Sequence, residues 1–251
     1  MKRKSKSSLA ARADRSIRTK AYEHIHGMIV SGELVDSAIS ELAIAQELGS
    51  SRTPIREAIG QLLAEGLLEQ TPNRGTTVVQ LKRHDIVDLY ELREVLECYA
   101  AGKAARLNPY HAELEQWQKH ADEILALKEE LEKSGKPRLN AEQMHRFMAS
   151  DHGFHAMLMH LAANARMLKA VTDSRLLIRI FAMGRHAYDV SQLDRLYRQH
   201  DQIIRAVADQ NPELATKLIA EHIRTSQQER LAAFDAWERE VAMRKNMSTF
   251  V

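Results

Sequence analysis

Residues 51–59 of this 251-residue chain are Ser51-Arg52-Thr53-Pro54-Ile55-Arg56-Glu57-Ala58-Ile59. A Thr-Pro pair is typical of a helix N-cap and the first helical position, so we expect a helix to begin at Thr53 and Pro54. Ile55, Ile59 and Leu62 recur at helical spacing and would face a core. The stretch therefore predicts an amphipathic helix with a defined start.

Two shorter helical patterns precede this helix, and a hairpin pattern follows it. The first pattern spans Thr19 to Val30, and the second begins after the capping residue Ser40, with an expected buried face of Leu42, Ile44, Ala45 and Leu48. Strand-like residues 67–70 and 76–80 flank the turn-forming residues 71–75. Two short helices, a tight turn and a two-stranded wing predict a winged helix-turn-helix, whose second helix enters the major groove of DNA.

The rest of the chain is predicted to be helical. Breaks are expected near Asn108-Pro109, Ser134-Gly135-Lys136-Pro137, Asn164, Asp189 and Asn211-Pro212, which leaves about six helices. In the first of them the expected buried face is Ile86, Leu89, Leu92, Leu96 and Ala100. These helices predict an antiparallel all-α bundle.

The predicted architecture is mainly α and has four parts. They are a basic disordered tail over residues 1–18, a winged helix-turn-helix DNA-binding domain over 19–81, a linker over 82–84, and an all-helical effector-binding and dimerisation domain over 85–245.

Composition restricts the class of protein without naming a function. Residues 1–20 contain eight basic residues and one acidic residue, whereas residues 21–83 contain five basic and eight acidic residues, so bulk charge does not predict DNA binding. The single cysteine, Cys98, excludes an intramolecular disulfide. No apolar run reaches the roughly 20 residues that cross a bilayer. We therefore expect a cytoplasmic protein without a membrane partner.

The helix over residues 51–66 carries the strongest resemblance. Its Ser-Arg-Thr-Pro-Ile-Arg-Glu-Ala-Ile stretch, with Glu41, Leu48-Gly49 and Glu65-Gly66-Leu67 around it, resembles the winged helix of the GntR superfamily. Arg52 and Arg56 lie four residues apart, on one helix face, and Arg can bind guanine or phosphate; two solvated surface arginines are the alternative. The resemblance implies that Arg52, Thr53 and Arg56 contact the major groove and that Arg74 and Gly75 approach the minor groove. Leu42 departs from the family, because a DNA-contacting Arg is common there.

A second resemblance covers residues 85–235. Leu89-Tyr90-Glu91-Leu92-Arg93 and Asp151-x-x-Phe154-His155 are similar to the FCD sensor domain of FadR-type GntR regulators. Asp151 and His155 share a helix face at a spacing of four residues, which suits one half of a metal site. The resemblance implies that Asp151, His155, His200 and His222 bind a divalent transition metal. Zinc is our first expectation, with nickel, manganese and iron as alternatives, and a metal-free relative also stays open.

The expected function follows from both resemblances. We expect a homodimer that binds a palindromic double-stranded DNA operator, acts as a repressor and senses a small-molecule effector, a carboxylate, through the metal. Arg93 is a candidate effector anchor, with a surface salt bridge to Glu97 as the alternative. A metal-dependent enzyme and a metal-free DNA-binding dimer are the competing functions, although the usual catalytic motifs are absent from the sequence.

Overall fold

The structure, a computed structural model, describes residues 17–29, 33–34, 37–72, 74–182 and 188–248, without the side chains of 179–182 and 244–248. The described helices are α1 (17–29), α2 (Glu41–Glu47), α3 (Arg52–Ala64), α4 (Arg83–Leu107), α5 (His111–Ser134), α6 (Ala141–Leu161), α7 (Ala165–Ala182), α8 (Val190–Ala208) and α9 (Pro212–Ser248). The strands are β1 (Leu68–Thr71) and β2 (Gly75–Val78). The chain divides into two units at Gln80 and Leu81. The tail expected at residues 1–18 lies almost wholly outside the described residues.

The first unit is a winged helix-turn-helix. Its buried side chains come from α1, α2, α3 and the wing, and include Ile25, Ile29, Ile44, Ile55, Leu62 and Val78. The turn between α2 and α3 contains Gly49 at a φ of +59°, a conformation that glycine adopts without strain.

Two local predictions for the first unit were wrong. Leu42 is 56% exposed instead of buried, and α3 is capped by Ser51 instead of Thr53. The first turn leaves its N–H groups unpaired, so Pro54 is tolerated two residues inside the helix start.

The wing is a two-stranded antiparallel hairpin, as predicted, but its strands are shifted into the expected turn. Thr71 pairs with Gly75 and Leu68 pairs with Val78. The backbone N–H of Ile39 donates to the carbonyl of Thr76 at 2.8 Å, which attaches the segment before α2 to the wing. The wing is therefore held against the helices of its own unit.

The second unit contains the six described helices α4 to α9. The predicted breaks fall between helices, where polar side chains cap the next helix. Asn140 and Gln143 exchange hydrogen bonds at 2.9 and 3.1 Å at the start of α6, and Asp189 and Gln192 do the same for α8. Arg83 and His84, expected in a linker, lie in α4, because Asp85 accepts a hydrogen bond from the Lys82 N–H and caps the helix there.

The buried face of α4 differs from the predicted one. Leu92 is 45% exposed, whereas Arg93 and Glu97 are buried at 3% and 0% exposure. The inward face runs through Ile86, Tyr90, Arg93, Glu97 and Ala100. The prediction from the apolar pattern was wrong because two charged side chains, Arg93 and Glu97, pair with each other inside the bundle. No helix in the described part of the chain is long and apolar enough to cross a membrane.

Candidate functional site

The exposed face of α3 carries the predicted DNA-contacting residues. Arg52 and Arg56 are exposed, with side-chain exposures of 55% and 61%, and Thr53 is exposed beside them. Both guanidinium groups reach one carboxylate oxygen, Oε2 of Glu41 on α2: Arg52 Nη2 lies at 2.9 Å and Arg56 Nε at 2.8 Å. Burial opposes the shift, but the two arginines hold the pKa of Glu41 below its usual value. Glu41 thus bridges the two arginines and stays ionised.

The wing carries the remaining two predicted DNA contacts. Arg74 is exposed, and Gly75 begins β2 with a φ of +80°, a backbone that a larger residue adopts only with strain. Arg74 also lines a concave surface of about 550 Å³ within the first unit, together with Glu69 and Gln80. The guanidinium is therefore available to a groove or a phosphate.

The four predicted metal ligands come together inside the second unit. Asp151 and His155 lie on α6, His200 on α8 and His222 on α9. The three histidines are buried, at 1% exposure or less, and one nitrogen from each lies within 4.8 Å of the other two. The Nε2 atoms of His155 and His222 are 3.3 Å apart. Asp151 Oδ1 lies 3.8 Å from Nε2 of both His155 and His200.

Neighbouring side chains set the orientation of the imidazoles. Nδ1 of His155 is hydrogen-bonded to the buried Glu97 carboxylate. Nδ1 of His222 is 3.0 Å from the amide oxygen of Gln199. The His200 ring stacks on Phe154, with ring centroids 3.6 Å apart. Because Nδ1 donates in two of these rings, their Nε2 lone pairs point to the centre of the cluster.

The electrostatics favour neutral histidines beside an ionised aspartate. Burial lowers the pKa of His200 to about 4. Burial and the charges of Arg175 and Arg93 also lower the pKa of His155, and burial with the nearby His200 lowers that of His222. Burial would raise the pKa of Asp151, but Arg175 and the histidines hold it well below its usual range. At neutral pH the cluster thus presents unprotonated donors, the form that binds a metal.

The residues present fit a divalent cation. Both ring nitrogens of His200 are buried without a hydrogen-bond partner, and a metal bond would remove this cost for one of them. Any two nitrogen ligands of a tetrahedral zinc are about 3.4 Å apart, close to the 3.3 Å between the Nε2 atoms of His155 and His222. One carboxylate and three imidazoles suit zinc, nickel, manganese or iron.

Arg93 is buried, and its carboxylate partner is Glu97. Its Nε donates to Glu97 at 2.8 Å. The salt bridge expected as a surface alternative is therefore buried, and its Glu97 carboxylate also contacts His155. The guanidinium also lies over the Tyr90 ring, at 4.9 Å from its centroid. Arg93 therefore reaches the cluster through Glu97.

Sequence reasoning missed several residues of this site. Arg175 on α7 pairs with the second oxygen of Asp151, and Glu97 and Gln199 hold two of the rings. A side chain at Gly153 would collide with the ring of His120 on α5. Gln199 is adjacent to His200, which was the available signal; the others lie on separate helices. His160, also on α6, is exposed, and its Nε2 lies 4.0 Å from Glu113.

Comparison with known proteins adds independent findings. Residues 17–78 match the gntR family of bacterial regulatory proteins, and residues 88–225 match the FCD domain. The chain is 33% identical over 222 residues to a probable D-xylose utilization operon transcriptional repressor of Paenarthrobacter nicotinovorans, covering 85% of this chain and 90% of the relative. It is 30% identical over 187 residues to the Nta operon transcriptional regulator of Aminobacter aminovorans, covering 74% and 80%.

A solved structure has the same fold. A GntR transcriptional regulator from Rhodococcus sp. RHA1 superposes with a TM-score of 0.70 at 22% identity, covering 87% of this chain and 99% of that one. The similarity spans both units, so the arrangement of a winged helix followed by a helical domain is shared by the two chains.

Proposed function

Because this chain belongs to the GntR family of bacterial regulatory proteins and carries an FCD domain, we propose that it represses transcription from a palindromic operator until a metabolite binds at a metal in its helical domain. Like the relatives that it resembles, it is a DNA-binding regulator of transcription and not an enzyme. We place its action in the cytoplasm, where its DNA would lie.

We assign recognition of the operator to α3 and the wing. Arg52, Thr53 and Arg56 are exposed on one helix and would contact base edges and phosphates of the major groove, while Arg74 and Gly75 would approach the minor groove. The bridge from Glu41 to both arginines supports this assignment, because it limits the orientations that the two long side chains can take.

The buried cluster is assigned to metal binding. Asp151, His155, His200 and His222 would hold a divalent transition metal, with zinc preferred. The observation that carries this proposal is the convergence of three buried imidazoles whose outer nitrogens are held by Glu97 and Gln199 or left unpartnered. When bound, the metal supplies a Lewis-acid centre for an acidic metabolite.

The effector is proposed to be a small carboxylate. Arg93, buried on α4 and linked through Glu97 to His155, would contribute positive charge to its binding. Effector binding in the second unit lowers the affinity of the first unit for the operator, and operator binding lowers the affinity for the effector by the same factor. The repressor assignment rests on the Paenarthrobacter relative, a probable transcriptional repressor.

A second copy of the chain is proposed to pack against α4. Leu92, Val95 and Tyr99 form an apolar stripe on the outer face of this helix, with exposures of 45%, 70% and 56%. A helix that leaves such a stripe in water lacks a partner. A two-fold dimer covers it and presents two copies of α3 to the two half-sites of an operator.

Fluorescence anisotropy with labelled DNA tests the function. An operator is first selected from random-sequence DNA with the full-length zinc-loaded protein, and small carboxylic acids are then titrated into the complex. We expect a palindromic sequence and release by at least one acid. A selected sequence without symmetry, or affinity unchanged by every acid, contradicts the proposal.

A further inference from the structure

Among the described side chains of the second unit, three arginines lie in the interior, on three different helices. Arg93 on α4 and Arg230 on α9 are 3% and 8% exposed, and the Arg175 side chain on α7 is 9% exposed. Arginine does not lose its proton in proteins, so each carries a full charge. Burying a charge is costly unless it is paired.

Two of these arginines have partners in the cluster and the third does not. Arg93 pairs with Glu97, and Arg175 pairs with Asp151. In the described part of the chain, Arg230 contacts only neutral groups: its Nη2 lies 3.3 Å from the Tyr188 hydroxyl, and it also interacts with the Tyr90 hydroxyl. Its Nε and Nη1 are buried without a hydrogen-bond partner. A guanidinium with two unsatisfied buried donors is prepared for an anion.

Two tyrosines connect Arg230 with the groups around the metal cluster. Although burial opposes it, Tyr188 and Tyr90 raise the pKa of Arg230, and Tyr90 lies directly below the Arg93 guanidinium. Burial raises the pKa of Tyr188, and the charge of Asp151 adds to the rise. Arg230, which has no carboxylate partner, thus shares Tyr90 with the Arg93 of the proposed effector site.

The buried charges of the described residues do not balance. Three arginines face two carboxylates, Glu97 and Asp151. A divalent cation at the histidines would add two further positive charges. A monocarboxylate would offset one of them and leave the Arg230 guanidinium unpaired.

We propose that the effector is a small organic dianion with an acidic group at each end, one near the histidine cluster and the other on Arg230. This rests on the proposed function, since it specifies the ligand of the same site. The second acidic group replaces the missing partner of Arg230 and offsets the buried positive charge. Carboxylate and phosphate monoester share the required chemistry, and the experiment separates them.

Calorimetric titration of the full-length zinc-loaded protein with matched acids tests this inference. The pairs are malate with lactate, 2-hydroxyglutarate with 2-hydroxybutyrate, and 3-phosphoglycerate with glycerate, because the members of each pair share a 2-hydroxy acid head group. We expect at least one acid with two acidic groups to bind about tenfold or more tightly than its counterpart with one acidic group. The preferred pair reports whether the second group is a carboxylate or a phosphate.

Variants on α9 locate the second group. Arg230→Gln is expected to remove the preference for the dianion and to leave binding of the monoanion nearly unchanged. Arg224→Gln is the control, since Arg224 lies on the same helix but is 62% exposed and pairs with Glu94. Arg230→Lys keeps the charge and should keep part of the preference.

The outcomes separate this inference from the proposed function. Equal affinities within every pair, or a preference that folded Arg230→Gln retains, overturn the dianion alone. Absence of binding by all six acids overturns the carboxylate effector as well. If Arg230→Gln does not fold, the ratio of affinities in the wild-type protein decides.

Discussion

The carboxylate of Glu97 on α4 accepts a hydrogen bond from Nδ1 of His155 on α6, and both side chains are fully buried. The same carboxylate accepts from Arg93 Nε at 2.8 Å. With its proton held on Nδ1, His155 directs the Nε2 lone pair towards Asp151, His200 and His222. Partners of this kind fix the tautomer of a metal-binding histidine.

Replacing Glu97 tests this relationship. Glu97→Gln is expected to lower zinc affinity by about 10- to 100-fold, because the amide no longer offers a carboxylate to the imidazole. The change also leaves Arg93 without its ion pair, so the melting temperature should fall. Competition with a zinc chelator measures the affinity. The control is Glu94→Gln on the same helix, and equal zinc affinity in both variants would contradict the role of Glu97.

The bridge from Glu41 to Arg52 and Arg56 predicts an effect on DNA specificity. Glu41→Gln removes a negative charge beside DNA, so affinity for non-specific DNA should rise slightly. The ratio of operator to non-specific affinity should fall about tenfold, roughly the cost of one mismatched base pair, because the two arginines lose the carboxylate that ion-pairs with both.

Glu57→Gln on α3 is the matched control for Glu41, since it removes an equal charge from the exposed face of the helix. Anisotropy titrations against the selected operator and a scrambled duplex give both affinities. A ratio that falls equally in both variants would show that Glu41 acts through charge alone.

The breaks between the helices of the second unit were predictable because their causes are local. Asn140, Asp189 and Asn211 each accept a hydrogen bond from a backbone N–H in the first turn of the following helix, and a capping residue acts within four residues of itself. The arrangement of two short helices and a hairpin was predictable for the same reason.

The faces of α2 and α4 were not fully predictable. Leu42 and Leu92 were expected in the interior and are exposed, while Arg93 and Glu97 were not expected there and are buried. Burial of a charge depends on partners from distant sequence, such as the His155 ring that Glu97 contacts across 58 positions. Arg175 and Arg230 were missed for this reason, whereas the four proposed ligands were found through family resemblance.

The apolar stripe on α4 predicts the oligomeric state. Val95 is 70% exposed in the single chain, and a charge placed there would be buried in a dimer without a partner. Val95→Glu is therefore expected to give monomers at micromolar concentrations. Sedimentation equilibrium measures the mass. Leu214→Glu, at an apolar position on α9 that is 43% exposed, should behave as the wild type; a dimer that survives Val95→Glu would remove α4 from the interface.

The environment of Cys98 predicts slow thiol chemistry. Burial, with the charges of Glu94 and Glu97, raises the pKa of Cys98 to about 11. Only the thiolate reacts, so alkylation by iodoacetamide at pH 8 should be roughly 100-fold slower in the native protein than in urea. The native rate should keep rising as the pH approaches 11. Equal rates in the two states, or a plateau by about pH 9, would contradict a raised pKa.

Zinc content is the most direct measurement of the central claim, a metal held by Asp151, His155, His200 and His222. Full-length protein is equilibrated with zinc and freed of excess metal. Its zinc content is then measured by inductively coupled plasma mass spectrometry. We predict one zinc for each wild-type chain, the same content in His152→Ala, and little zinc in His200→Ala, which removes one ligand from the centre. A wild-type protein without zinc, or a His200→Ala variant that retains it, would contradict the account.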